Sequence, residues 1–223
     1  MSRRDPLIAL RQMRDHAREA LDLSRNRSRE DLDTDRLLNL ALVRLLEARR
    51  FDLYHDPMPD LETFEGYAGE TVSVLYQFAA MVLNAGKPVE TGDAAGHLGV
   101  AQALIGHLRA FGYHAAHGRI FLPRSVLAAN GVNEADVLAG RPSEGLLSAR
   151  RQFADLAHGH LAKAGTAVAR LPRVLRPAFS PAALLRAQLK RTEVSAEQTF
   201  SPPPDLADWQ KLAILALRGW HIN

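Results

Sequence analysis

The chain has 223 residues at 24.5 kDa, with 47% hydrophobic and 24% charged residues, the balance of one ordinary globular domain over 1–223. It contains no cysteine, which excludes disulfide scaffolds, thiolate-ligated zinc, iron–sulfur clusters and cysteine nucleophiles. No run of eighteen apolar residues offers a transmembrane helix, and the net charge is a modest +3.

In chain order, Met-Ser-Arg-Arg-Asp-Pro opens without an apolar core behind its two bases, so no secretory signal is expected and the cytoplasm is the default location. Asp5-Pro6 caps a first helix carrying Leu7, Leu10, Met13 and Leu21 on one face. A polar stretch from Ser24 to Asp35 follows, and Thr34 or Asp35 caps a second helix that runs to Arg50. Pro57 and Pro59 make Asp52–Asp60 a loop. A third helix is predicted over Leu61–Leu83, with Phe64, Tyr67, Val72, Leu75 and Phe78 inward. A fourth is predicted from Thr91 to Gly118, a good left-handed stop residue. Short helices flank the Asn130-Gly131 turn, and Ser143 caps a long helix to Leu171. Pro181–Lys190 and Pro204–Trp220 close the chain around a flexible Ser201-Pro202-Pro203-Pro204 joint. No strand pattern or internal repeat appears, so the predicted architecture is an all-α bundle around a central core.

Charge is unevenly laid out. Residues 51–100 carry eight acids against Lys87, a balance of −7, whereas 141–191 carry ten bases against Glu144 and Asp155, a balance of +8. Such a basic half reads as a solvated face, or as a surface for an acidic protein or an anionic membrane. No aromatic interleaving or binding motif points to nucleic acid.

The most informative stretch is GVAQALIGHLRAFGYHAAHGRIFLP, Gly99 to Pro123. It resembles the second signature of the squalene/phytoene synthase family, roughly G-x-A-x-Q-x-x-N-I-L-R-D-x-x-x-D followed by G-R-x-Y-L-P. Gly99, Ala101, Leu108, Arg109, Gly118, Arg119, Leu122 and Pro123 match that frame, and the similarity extends over about residues 36–190. The resemblance implies an isoprenoid-synthase-like helical bundle around a central cavity, here short at its N-terminal end. In active members, aspartates one turn apart hold Mg²⁺ against an isoprenyl diphosphate. The sequence departs from the pattern where that chemistry sits. The two aspartates fall on Ala110 and His114, the glutamine on Ala103 and the asparagine on Gly106, on one helical stripe with His107. Arg109 and Arg119 remain as anion-binding candidates, and the resemblance implies a cavity role for Tyr67.

Asp31/Asp35 and Asp52/Asp56 have the aspartate spacing but read as cap and loop residues. His114-x-x-His117 has metal-ligand spacing without a supporting carboxylate motif, so no metal site is expected, and His158-Gly159-His160 reads as surface. Arg109 in an apolar helix requires an acid such as Glu70 or a phosphate-like ligand. Leu108-Arg109-Ala110, Tyr113-His114 and Ala95-Gly96-His97 resemble the branch of the family that assists assembly of respiratory complex I. That resemblance implies a non-catalytic interaction factor without cofactor, working with membrane-complex subunits at the inner membrane face. The alternatives are an active Mg²⁺-dependent head-to-head prenyl transferase and a module that binds an isoprenoid or lipid in its cavity.

Overall fold

The computed structural model describes residues 36–193 and 198–220; the expected helix over 7–21 and the Asp31/Asp35 pair lie outside the described residues. Contacts divide the chain into Met1–Arg44 and Leu45–Asn223, and the buried core belongs to the second unit. The described residues form α-helices joined by 3₁₀ and π turns, with no strand among them. None of the described helices is long and apolar enough to cross a membrane.

Helix α1 (Arg36–Arg49) runs into a 3₁₀ turn at Arg50–Leu53. After the Pro57–Asp60 loop, the Asp60 carboxylate accepts from Thr63 N and starts α2 (Leu61–Ala68). The predicted third helix is in fact two. A π turn at Gly69–Ser73 separates α2 from α3 (Val74–Leu83). That turn moves the apolar register by one position, so Leu75 is exposed while Tyr76 takes the buried place.

The centre of the bundle is α4 (Gly92–Arg109) packed along α8 (Glu144–Arg170). Leu98, Leu104, Ile105 and Leu108 of α4 are buried with Leu146, Phe153, Ala157 and Leu161 of α8, as expected of a helix apolar on most of its sides. Gly99 is needed there. A Cβ on it would lie 2.5 Å from the Ser73 backbone, and the Ser73 hydroxyl donates across the same contact to Gly96 O at 3.2 Å.

The predicted fourth helix breaks at Ala110 (φ −91, ψ 8), and α5 (Phe111–Ala116) continues beyond it. Gly118 has φ +72, as a left-handed stop requires. The following segment buries Ile120, Phe121 and Leu122, and Arg124 N and Ser125 N donate to Met58 O and Pro59 O, tying the two loops together. Helices α6 (Arg124–Ala129) and α7 (Glu134–Leu138) flank the Asn130-Gly131 turn, where Gly131 has φ +66. Ser143 Oγ accepts from Leu146 N to cap α8. A 3₁₀ turn at Arg173–Phe179, α9 (Pro181–Leu189) and α10 (Asp208–Trp220) complete the described chain.

The proline segment expected to be a flexible joint is pinned at both ends. On one side the Phe200 carbonyl sits where a Cβ on Gly112 would be, 1.8 Å away, and the Phe111 and Phe200 rings are 5.4 Å apart. On the other side Asp205 bonds Arg109 at 2.8 Å and Lys211 at 2.9 Å.

Candidate functional site along the signature helix

The break at Ala110 and the Gly118 stop aim the side chains of the signature. His107, near the end of α4, lies flat on Phe121 with ring centres 4.2 Å apart and 14° between planes. His114 on α5 is 4.6 Å from the same Phe121 ring and 5.5 Å from His107, and Phe64 meets His107 edge-on. His107 Nδ1 is buried with no hydrogen-bond partner among the described residues. Burial, helped by the charges of His114 and Arg49, pushes the His107 ring down to about 3. His114 is lowered as well, by burial first and then by the Arg119 guanidinium, with Asp52 pulling the other way.

A second group of polar side chains comes from the end of α1, the 3₁₀ turn and α2. The Tyr67 hydroxyl donates to Asp52 Oδ1 at 2.7 Å. Arg49 Nη1 donates both to the Tyr67 oxygen and to Asp52 Oδ2, each at 3.1 Å. Burial, and then the bond to Asp52, holds the Tyr67 phenol well above its ordinary value. Phe51 packs edge-on to Tyr67, and Tyr67 also borders an open cavity of about 460 Å³ with Glu47, Arg50, Tyr54 and Met58. The result is a closed hydrogen-bonded triad of Arg49, Asp52 and Tyr67, near enough for the charge of Arg49 to act on His107 and that of Asp52 on His114. It can orient a polar group, whereas imidazoles held back from protonation by burial are poor proton acceptors. Among the described residues, no three His, Asp or Glu side chains converge as metal ligands.

The remaining stripe residues are placed differently. Ala103 is buried. Gly106, Arg109 and Ala110 line a groove of about 670 Å³ with Gln102, Leu185 and Pro202. The acid that satisfies Arg109 is Asp205 rather than Glu70, which is exposed. Arg119 is half-buried, and its backbone N–H bonds His114 O at 3.0 Å.

Sequence reasoning gave Asp52 only loop duty, whereas it is the acceptor of the Tyr67 hydroxyl; the Arg49-x-x-Asp52 spacing was the local signal. His160, read as surface, is half-buried. Its Nδ1 is 3.2 Å from His97 Nδ1, and its Nε2 is 3.5 Å from Glu65. Those partners lie on other helices, and nothing near His160 in sequence announces them.

Residues 3–212 match the squalene/phytoene synthase family. The chain is 30% identical over 72% of its length to NADH dehydrogenase (ubiquinone) complex I, assembly factor 6 of Rattus norvegicus, covering 48% of that protein. It is 27% identical over 81% of its length to the same factor of Homo sapiens, covering 54% of it. The chain thus spans about half the length of the curated relatives it matches.

Solved structures with a similar fold include a dehydrosqualene synthase in complex with ligand (TM-score 0.66, 19% identity, 82% of this chain and 65% of that one). They also include squalene synthase HpnC from Alicyclobacillus acidocaldarius (TM-score 0.55, 20% identity, 82% and 59%). The all-helical architecture of the described residues agrees with these likenesses, and the chain belongs to the squalene/phytoene synthase family.

Proposed function

We propose that this protein is a non-catalytic member of its family that serves the assembly of a membrane-bound respiratory complex through its surfaces. The observation that carries this reading is the chemistry at the positions where the signature has aspartates. Ala110 offers no ligand atom. His114 sits against Phe121 and His107 in the field of Arg119, and this environment disfavours even its own protonation. Mg²⁺ is a hard cation that takes oxygen ligands, usually carboxylates and waters, in near-octahedral geometry. An alanine and a half-buried imidazole beside an arginine do not fit it. Arg109, the anion-binding candidate of the same helix, is already satisfied by Asp205.

Two further features support an interaction role. Trp209, Leu212 and Leu217 on α10 are each about two-thirds exposed, and exposed apolar side chains grouped on one element suit a protein contact. Relatives of similar sequence are named as complex I assembly factors. The partner class is therefore subunits of that complex, met at the inner membrane face, where exposed bases such as Arg151, Lys163 and Arg173 favour an anionic surface.

Two measurements test the reading. Purified protein incubated with Mg²⁺ and farnesyl or geranylgeranyl diphosphate is expected to release no diphosphate above background. Tagged protein expressed in its source cells is expected to capture complex I subunits, and loss of the protein to lower the amount of assembled complex. Diphosphate release at an enzymatic rate, or unchanged complex I in its absence, overturns it.

A further inference from the structure

Arg150 lies in the middle of α8 and is only 3% exposed. Its Nη1 donates to Leu108 O at 3.4 Å, and the guanidinium carbon lies 4.9 Å from the centre of the Phe111 ring. Among the described residues, Nε and Nη2 have no hydrogen-bond partner. These two nitrogens share one edge of the planar guanidinium, and their N–H bonds run parallel, the arrangement that takes two oxygens of a carboxylate or phosphate at once. Burying a guanidinium with that edge empty is unfavourable, because the donors have left water without a replacement acceptor. Desolvation accordingly pushes Arg150 down to about 10.

The same arginine belongs to the wall of a cavity of about 520 Å³ between α8 and the chain following α9. Arg151, Thr192 and Gln198 share that wall, supplying a second cation and neutral polar groups. Asp155 and Glu193 also line it, yet both are exposed and neither bonds Arg150. The cavity falls within the size range of small-molecule sites and exceeds what a bare oxyanion fills. Two adjacent cations suit a dianion better than a single carboxylate.

We propose that this cavity binds the phosphate group of a small phosphomonoester, with the Nε/Nη2 edge of Arg150 as the anchor and Arg151 as the second positive charge. The site is separate from the Tyr67–His107 cluster and does not depend on the assembly role.

Inorganic phosphate and glycerol 3-phosphate are titrated into the full chain at constant ionic strength, with thermal unfolding and amide hydrogen exchange as readouts. The expected result is a saturable rise in Tm and slower exchange in peptides covering Leu147–Asp155 and the end of α9. Arg150→Met is expected to melt no lower than wild type without phosphate and to lose the response. Arg150→Lys keeps the charge without the fork and is expected to bind at least about tenfold more weakly. Cosedimentation with phosphatidic acid vesicles, but not phosphatidylcholine vesicles, that is lost in Arg150→Met would assign the phosphate to a lipid headgroup rather than a soluble ester. Unchanged exchange in wild type with every phosphate probe overturns the proposal without recourse to a variant. So does an Arg150→Met protein that responds like wild type.

Discussion

An imidazole packed flat on Phe121, edge-on to Phe64 and with its Nδ1 unpartnered, makes a measurable demand on stability. Unfolded, His107 takes a proton near pH 6.5; folded, it does so only near pH 3. Between those values the unfolded chain binds the extra proton, so stability rises with pH. Stability is lost as pH falls below about 6.5, by up to about 1.4 kcal/mol per pH unit from this residue. His114 and His160 are shifted in the same direction and add to the slope. His107→Phe keeps a ring between its neighbours and removes the proton. Urea unfolding at about pH 7 and about pH 4.5 is expected to show a shallower pH dependence in the variant, and an unchanged slope refutes the assignment. At this scale helical spacing put His107 and His114 on one stripe and turned Tyr67 inward, while a cavity role for Tyr67 came only from the family resemblance. The sequence was illegible where a partner comes from afar: Asp52 lies 15 residues from Tyr67, and Asp205 lies 96 from Arg109.

Among the elements, periodicity located nearly every described helix but not the interruptions inside them. The π turn at Gly69–Ser73 and the break at Ala110 leave the apolar pattern intact on either side, so a period alone cannot show them. The Ser201–Pro204 segment misled for a different reason. Its composition is that of a joint, and only the contact of the Phe200 carbonyl with Gly112 fixes it in place. Gly112→Ala puts a methyl group into that carbonyl, so the strap must shift, at about 1–3 kcal/mol for such overpacking. Denaturant titration is expected to show that loss, and amide exchange in peptides covering 198–206 is expected to accelerate. Normal exchange there would mean that the strap is held by the Asp205 pairs alone.

For the whole molecule, the charge count overstated the free positive surface. Of the ten bases between Arg141 and Arg191, Arg150 is buried, and Arg176, Arg186 and Arg191 donate to carbonyls of Leu171, Leu161 and Ala187. Arg141 pairs with Asp136. Arg141 and Arg186 are nonetheless exposed, and together with the exposed Arg151, Lys163, Arg170, Arg173 and Lys190 they make the surface that an acidic partner would meet. Capture of complex I subunits is therefore expected to weaken as salt shortens the screening length from about 10 Å at 0.1 M towards about 3 Å at 1 M. Changing Arg151, Lys163, Arg170 and Arg173 together to glutamine is expected to have the same effect at low salt. Capture indifferent to both would place the contact on the apolar side chains of α10.

Returning to the π turn, a helix widened in this way is what one surplus residue leaves behind. Nine steps from Tyr67 to Tyr76 would rotate an uninterrupted helix through about 900°, putting the two phenols on opposite sides. With one step absorbed, about 80° separates them, and Tyr67 reaches Asp52 while Tyr76 reaches Gln102. Chain length and rotational phase are thereby uncoupled at this single place. Removing the exposed Glu70 would restore a plain α-helix and leave both tyrosines facing their partners, whereas removing Gln77 from α3 would turn everything after it by about 100°. A Glu70 deletion that melts close to wild type, beside a Gln77 deletion that does not fold, is the expected pair of results. The helical segment from Leu61 to Leu83 would then owe its interruption to one tolerated extra residue.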